Sequence, residues 1–386
     1  MRTDHDLIQL LDDEPPTPSA VDVRGAIAAG RRRRAVHRAG WAGAAATALA
    51  VAAVVTVNGA LFAPSPAPTE AAGPAAVPAS CVVRDLTGVP SSVVRGADST
   101  GRYLTGSTDP GAGAVLVHDG RSTSVELPGA GRSALTAVGA DGTAVGWRFA
   151  TDGDAEPVPF VYRQGRASAL PGVAYGTPQG INDAGTIVGT SGGVPVRWPS
   201  ATQDAVRLPV PPGTRQGSAI GIDADGTIVG STDGKAFAWL PDGTTLELPR
   251  PEIGGVTATM TMASGIRNGW VVGSAHTTER PPAGDLVPSV VRSVTVLWNV
   301  RTGTMRVVEP VRAEPAAVSA DGWLVGVGDD GGPVLVAGAT TLPLPLPAGS
   351  MTMAGSTFTV SADGRSITGS IVDASAVRRS VRWQCR

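Results

Sequence analysis

Residues 221–249 read GIDADGTIVGSTDGKAFAWLPDGTTLELP. Two Asp-Gly steps, Asp225-Gly226 and Asp242-Gly243, divide this stretch. Asp-Gly supplies the positive φ angles of tight hairpin turns, so the first and third connections are predicted to be short. Four strands result: a (218–223), b (227–232), c (235–240) and d (245–249). Residues 180–209 write nearly the same text, GINDAGTIVGTSGGVPVRWPSATQDAVRLP.

Working outward, a Gly-containing turn followed by an apolar run ending in Gly recurs seven times. The copies are STGRYLTG, ADGTAVG, DAGTIVG, ADGTIVG, RNGWVVG, ADGWLVG and ADGRSITG. They close on Gly106, Gly146, Gly189, Gly230, Gly273, Gly326 and Gly369, at spacings of 40, 43, 41, 43, 53 and 43 residues. A period of about 40–50 residues with four strands per copy denotes a β-propeller. The expected fold is therefore all-β, a seven-bladed propeller of four-stranded blades. Strand b is nearly continuous in apolar residues, as burial on both faces requires. Strand c carries an aromatic in five copies, Tyr162, Trp198, Trp239, Trp298 and Trp383, which reads as packing between blades rather than as a binding surface. Strand d ends in Leu-Pro at Leu127-Pro128, Leu170-Pro171, Leu208-Pro209, Leu248-Pro249 and Leu342-Pro343, where Pro suits and blunts an outer edge.

The seventh copy stops after strand c. Residues 82–90, VVRDLTGVP, precede the first strand a where a strand d would sit, so the N-terminal strand is expected to complete the last blade. Cys81 and Cys385, the only two cysteines, flank the point where every other blade has a c–d turn. A disulfide is expected to replace that turn, because two cysteines in an exported domain favour a bridge over metal binding.

Export is read from the N-terminal part. Residues 39–63 carry no charge, a length that crosses the hydrocarbon layer of a bilayer. Arg31, Arg32, Arg33 and Arg34 stand just before it, and no Lys or Arg follows until Arg84. The positive-inside rule places the N-terminus in the cytoplasm and the bulk outside. A signal-anchor is favoured over a cleaved signal peptide, because 38 mostly polar residues precede the apolar run. The expected organisation is a cytoplasmic segment (1–38), a transmembrane signal-anchor helix (39–63), a Pro/Ala-rich spacer (64–80) and the propeller (81–386), on a single-pass plasma-membrane protein. The cytoplasmic segment reads as a weakly ordered tail or a docking peptide for a cytoplasmic partner. The net charge of −2 offers no general attraction for nucleic acid.

The text INDAGTIVG followed by AFAW, Asp-Gly and LELP resembles the HAF-type extracellular repeat of exported bacterial proteins, best over residues 180–249. That resemblance implies an extracellular β-repeat domain and no particular activity. WD-type and kelch signatures are absent.

Chemistry is sparse. His5, His37, His118 and His276 are the only histidines, and no zinc cluster, nucleophile elbow or P-loop occurs, so neither metal nor cofactor is expected. DADG at 223–226 reads as a hairpin turn rather than a calcium loop, since it lacks the later Glu. The longer b–c and d–a connections gather on one face, and loops are where sites concentrate. A ligand site is expected there, from Arg148, Asp152, Asp154 and Glu156 in copy two, His276, Glu279, Arg280 and Asp285 in copy five, and Asp329 and Asp330 in copy six. The favoured function is a cell-surface binding or sensing module for an extracellular ligand or protein. The alternative is a propeller hydrolase or lyase acting on extracellular glycan, which needs carboxylates converging on the channel. Catalysis stays open.

Overall fold

The computed structural model describes residues 76–86, 92–108, 113–127, 131–151, 156–279, 289–312, 316–353 and 356–386. Seven four-stranded antiparallel sheets follow one another along the chain. Blade 4 shows the pattern: strand a is Gly217–Ile222, b Ile228–Thr232, c Lys235–Trp239 and d Thr245–Glu247. Its two Asp-Gly turns place Gly226 at φ 89° and Gly243 at φ 86°, the left-handed region that a side chain disfavours. Blades pack face to face, and the core is a series of layers between neighbours. One layer joins Val145, Val161 and Leu170 of blade 2 to Ile187, Val196 and Trp198 of blade 3.

The glycine closing each sequence repeat has a structural cause. In blades 1 to 5 the a–b register shifts by one residue, and the shift begins at the partner of that glycine: Val94 for Gly106, Leu135 for Gly146, Pro178 for Gly189, Ala219 for Gly230 and Ala263 for Gly273. The bulge drives a strand a carbonyl into the space a side chain would need. A Cβ at Gly230 would stand 1.9 Å from the Ser218 oxygen, and one at Gly146 would stand 2.1 Å from the Ala134 oxygen.

The strand c tryptophans are packed between blades, as the spacing implies. Trp198, Trp298 and Trp383 are at most 1% exposed. Each also ties its blade to the one before. Trp198 Nε1 donates to the Pro171 carbonyl at 2.9 Å, Trp239 to Pro209 at 2.6 Å, Trp298 to Pro249 at 2.8 Å and Trp383 to Pro345 at 2.7 Å. The Leu-Pro step therefore does more than blunt an edge. Its Leu enters the core (Leu170 1% and Leu248 2% exposed), and its Pro carbonyl satisfies the neighbour's indole. In blade 6 that role falls to Leu344-Pro345, one step beyond the expected Leu342-Pro343, which ends strand d.

The ring closes as the sequence implies. Cys81–Asp85 adds as the outer strand to the last blade, pairing antiparallel with Arg378–Cys385. Cys81 and Cys385 face each other directly and form a disulfide across 304 residues. Two features were not foreseen. The long connection in copy five is largely a β-ribbon, since strands Trp270–Glu279 and Ser289–Asn299 extend well past the usual blade length. A two-stranded hairpin, Glu252–Ile253 with Val256–Thr257, also sits between blades 4 and 5. The apolar run 39–63, Arg31, Arg32, Arg33 and Arg34, and the site candidates Asp152, Asp154, Arg280 and Asp285 lie outside the described residues.

Candidate ligand-binding site at the channel mouth

Strand a lies at one edge of every sheet, and neighbouring a strands meet round a central channel. Each strand a brings an aliphatic residue to the channel just before its a–b turn, among them Ala97, Val138, Ile181, Ile222 and Ile266. Above this ring is a cavity of 320 Å³, bordered by the turns of blades 1, 3, 4, 5, 6 and 7. A second cavity of 160 Å³ lies along the strands of the lumen. The mouth therefore opens on the a–b turn face, at the opposite end of the blades from the b–c connections.

A belt of hydrogen bonds runs round this mouth. The Ala362 amide of blade 7 donates to the Ser99 carbonyl of blade 1 at 2.7 Å, and the Ala320 amide of blade 6 donates to the Ala362 carbonyl at 2.9 Å. Asn268 Nδ2 of blade 5 donates to the Ala320 carbonyl at 2.9 Å. The Asn268 and Gly269 amides donate to the two carboxylate oxygens of Asp223 in blade 4, at 2.9 and 2.7 Å. Asn182 Nδ2 of blade 3 donates to the Asp223 carbonyl at 3.1 Å. Asp183 of blade 3 accepts the Ala140 amide of blade 2 at 3.0 Å and the Ser99 hydroxyl of blade 1 at 3.3 Å, which completes the circuit.

Asp223 is the hub of this belt. It is 5% exposed and also accepts the Ala224 amide at 2.8 Å. Arg301, from the c–d turn of blade 5, lies 3.7 Å from Asp223 and 3.3 Å from Asp225, and also donates to Asn268 Oδ1. Partial burial pushes the Asp225 carboxyl up, but the Thr227 amide and hydroxyl and the Arg301 guanidinium outweigh it and hold it below the ordinary carboxylate range. These carboxylates are held by amides, hydroxyls and a guanidinium. Among the described residues no group of three or more acidic, His or Cys side chains is arranged to hold a metal ion. DADG serves here as a turn and a tie between blades.

One charged group at the mouth is not tied. Arg267 lines both the mouth and the lumen cavity, and its side chain forms no hydrogen bond or ion pair with any described residue. Enclosure by the channel walls lowers its pKa from the ordinary guanidinium value, against the opposing pull of Asp223, Asp98 and Asp183. Arg267 is half-buried, and its guanidinium presents five donors in a rigid fork to whatever enters the mouth.

Those site residues expected from the sequence that are described are dispersed over the other face. Arg148 ends strand b of blade 2 (Ala144–Arg148) and borders a recess of only 40 Å³, while Glu156 is an exposed residue ahead of strand c. His276 lies on the blade 5 ribbon, with Nε2 2.9 Å from Ser274 Oγ and Nδ1 2.7 Å from Ser293 Oγ, and burial holds its imidazole below the usual range. Glu279 ends the described part of that strand. Asp329 and Asp330 form the b–c turn of blade 6. The Asp329 carbonyl accepts Arg312 Nη2 at 2.7 Å, and Asp330 Oδ1 accepts the Gly332 amide at 2.9 Å. An open recess of 410 Å³ between blades 5 and 6 brings together Asp329, Arg312, Glu309 and Ser293, the last being the partner of His276. No described residue of blade 2 lines it.

In the sequence Asp223 reads only as part of a DADG turn, and neither Arg301 nor Arg267 is named as a site residue, because both sit in short turns. One signal was present. RNGWVVG puts Arg where the other copies carry small or acidic residues.

No family model and no curated protein matches the chain. Among solved structures, a catalytically inactive virginiamycin B lyase from Staphylococcus aureus with quinupristin aligns at TM-score 0.51 and 14% identity, covering 79% of this chain and 99% of that one. A chain of a mitotic checkpoint complex aligns at TM-score 0.49 and 10% identity, over 86% and 99% of the two chains. A chain of hydrazine synthase from Kuenenia stuttgartiensis aligns at TM-score 0.45 and 14% identity, over 77% and 96%. The likeness to the lyase structure, at that identity, extends to the propeller fold and no further.

Proposed function

We propose that the chain is a cell-surface binding module of the HAF-type kind, held to the plasma membrane by residues 39–63, that takes its ligand at the channel mouth on the a–b turn face. The uncharged run behind four arginines supports the anchor, and the Pro-rich spacer supports a domain held clear of the bilayer. The observation that carries the site is a 320 Å³ cavity with aliphatic walls that contains the Arg267 guanidinium, which has no partner among the described residues. Concave, mostly apolar sites with a few convergent polar groups are where small ligands bind. The mouth carboxylates are engaged by structural donors, which favours binding over acid–base chemistry. The test is a glycan and small-molecule binding screen on the full chain, run beside Ala224→Trp, which fills the mouth from an exposed turn position. Ligands retained by the wild type and lost by the variant support the reading. Equal retention by both overturns it.

A further inference from the structure

Comparison of the blades at one register shows what is unusual about Arg267. The residue after the channel aliphatic is Asp98 in blade 1, Asn182 in blade 3, Asp223 in blade 4, Ser319 in blade 6 and Ser361 in blade 7. All five are buried, and each side chain accepts an amide of its own a–b turn: Tyr103, Thr186, Ala224, Trp323 and Ser366, respectively. Blade 2 has Gly139. Blade 5 alone has a cation there. Its turn is also shorter, a two-residue Asn268-Gly269 hairpin with φ 49° and 80° that pairs Arg267 with Trp270. The capping task has passed to the neighbouring blade, whose Asp223 takes both turn amides. Arg267 is thus released from structural duty and faces the channel.

The surroundings narrow the chemistry of its partner. The other polar groups of the mouth are engaged within the belt, so a ligand's main polar contact is the guanidinium. A planar fork of donors matches a planar pair of acceptor oxygens. Asp98, Asp183 and Asp223 act on the same guanidinium, so the neighbourhood tolerates one negative charge better than two. This disfavours a phosphate dianion. The walls, from Val138, Ile181, Ile222 and Ile266, are aliphatic, and a cavity of 320 Å³ holds only a small body.

We propose that Arg267 anchors a binding site for a monoanionic carboxylate carried on a short aliphatic body, entered from the a–b turn face. The assignment rests on the mouth being the binding site and adds the ligand class. A free short-chain acid and the C-terminus of a peptide ending in an aliphatic residue present the same chemistry.

The test is calorimetric titration of the purified full chain with two acids, isovalerate and N-acetyl-alanyl-valine. Each is run beside its primary amide, with inorganic phosphate as a third arm. The acids are expected to bind and the amides to bind roughly ten- to a hundred-fold more weakly, the loss of a charge-assisted bidentate pair. Arg267→Gln should abolish the preference for acid over amide, and Arg267→Lys should keep part of it, since Lys retains the charge without the fork. The tighter of the two acids identifies the source. Thermal unfolding of each variant verifies folding, and the Lys variant carries the test if the Gln variant does not fold. Absence of binding by both acids, acid binding that is indifferent to Arg267, or phosphate binding tighter than both acids overturns the assignment. If the acids fail while Ala224→Trp still removes a ligand found by screening, only the carboxylate assignment falls. If Ala224→Trp leaves all binding intact, the mouth itself falls.

Discussion

Ring closure by sulfur makes the most quantitative prediction. The last blade depends on an outer strand of five residues, Cys81–Asp85, whose side chains are half-buried or exposed, so side-chain packing alone holds it weakly. Backbone pairing to Arg378–Cys385 and the Cys81–Cys385 bridge supply the rest. The bridge spans 304 residues, and the chain-entropy relation gives about 5.7 kcal/mol of destabilisation of the unfolded ensemble for a loop of that size. That is comparable with the whole stability of an ordinary domain. Replacing both cysteines, Cys81→Ser with Cys385→Ser, is therefore expected to lower the unfolding free energy by several kcal/mol. The urea slope should steepen, because an uncrosslinked unfolded chain exposes more surface. Trp383, fully buried beside the closing strand, provides a fluorescence probe. The reasoning is refuted if the double variant unfolds at the same urea midpoint with the same slope. It is equally refuted if the denatured, unreduced wild type takes up iodoacetamide.

Four further outcomes are expected. Trp298→Phe should cost about 1–3 kcal/mol in urea unfolding, because it leaves the Pro249 carbonyl without its donor while keeping most of the packing; an unchanged midpoint would show that the indole bond is not a tie between blades. Asp223→Ala should cost more than Ala224→Ser, since it strips the Asn268 and Gly269 amides of their acceptor at the centre of the belt; equal stabilities measured by calorimetry would count against the hub. His276 has a folded pKa held below 6.5 by burial, so the unfolded state binds more protons between the folded value and 6.5. Stability should therefore fall as pH drops through that window, His276→Gln should remove part of the slope, and an identical pH profile for the variant would contradict the burial argument. Protease applied to intact cells should degrade the propeller and spare residues 1–38, and full protection of the propeller would reverse the proposed topology.

Much of the architecture was readable in the chain because a propeller repeats the same local problem. Each blade needs the same turn, the same close approach of strands a and b, and the same tie to its neighbour, so the same residues recur near a 43-residue interval. Gly230 is needed because a carbonyl occupies its side-chain space, and Trp239 because a Pro carbonyl waits at the end of the preceding blade. The pairing of Cys81 with Cys385 followed from asking which strand the last copy lacked. Strand d of blade 6 ends at Leu342-Pro343 as expected, but the sequence offers three Leu-Pro steps in a row, and only packing selects Leu344-Pro345 as the tie to the next blade.

The mouth was not readable in this way. Length and charge make long loops conspicuous, which drew attention to His276, Asp329 and the b–c face. Asp223, Arg267 and Arg301 sit in short turns, and a turn residue looks the same in sequence whether or not its side chain also meets a ligand. Ser99 and Asp183 are 84 residues apart, and Asp225 and Arg301 are 76 apart, yet each pair is in contact. Periodicity determined how many blades form and how the circle is fastened, because those are nearest-neighbour demands repeated along the chain. Which turns share one opening, and which of their charges is left without an acceptor among the described residues, was decided only when the circle closed, because that assignment depends on distances across the ring that no local pattern encodes.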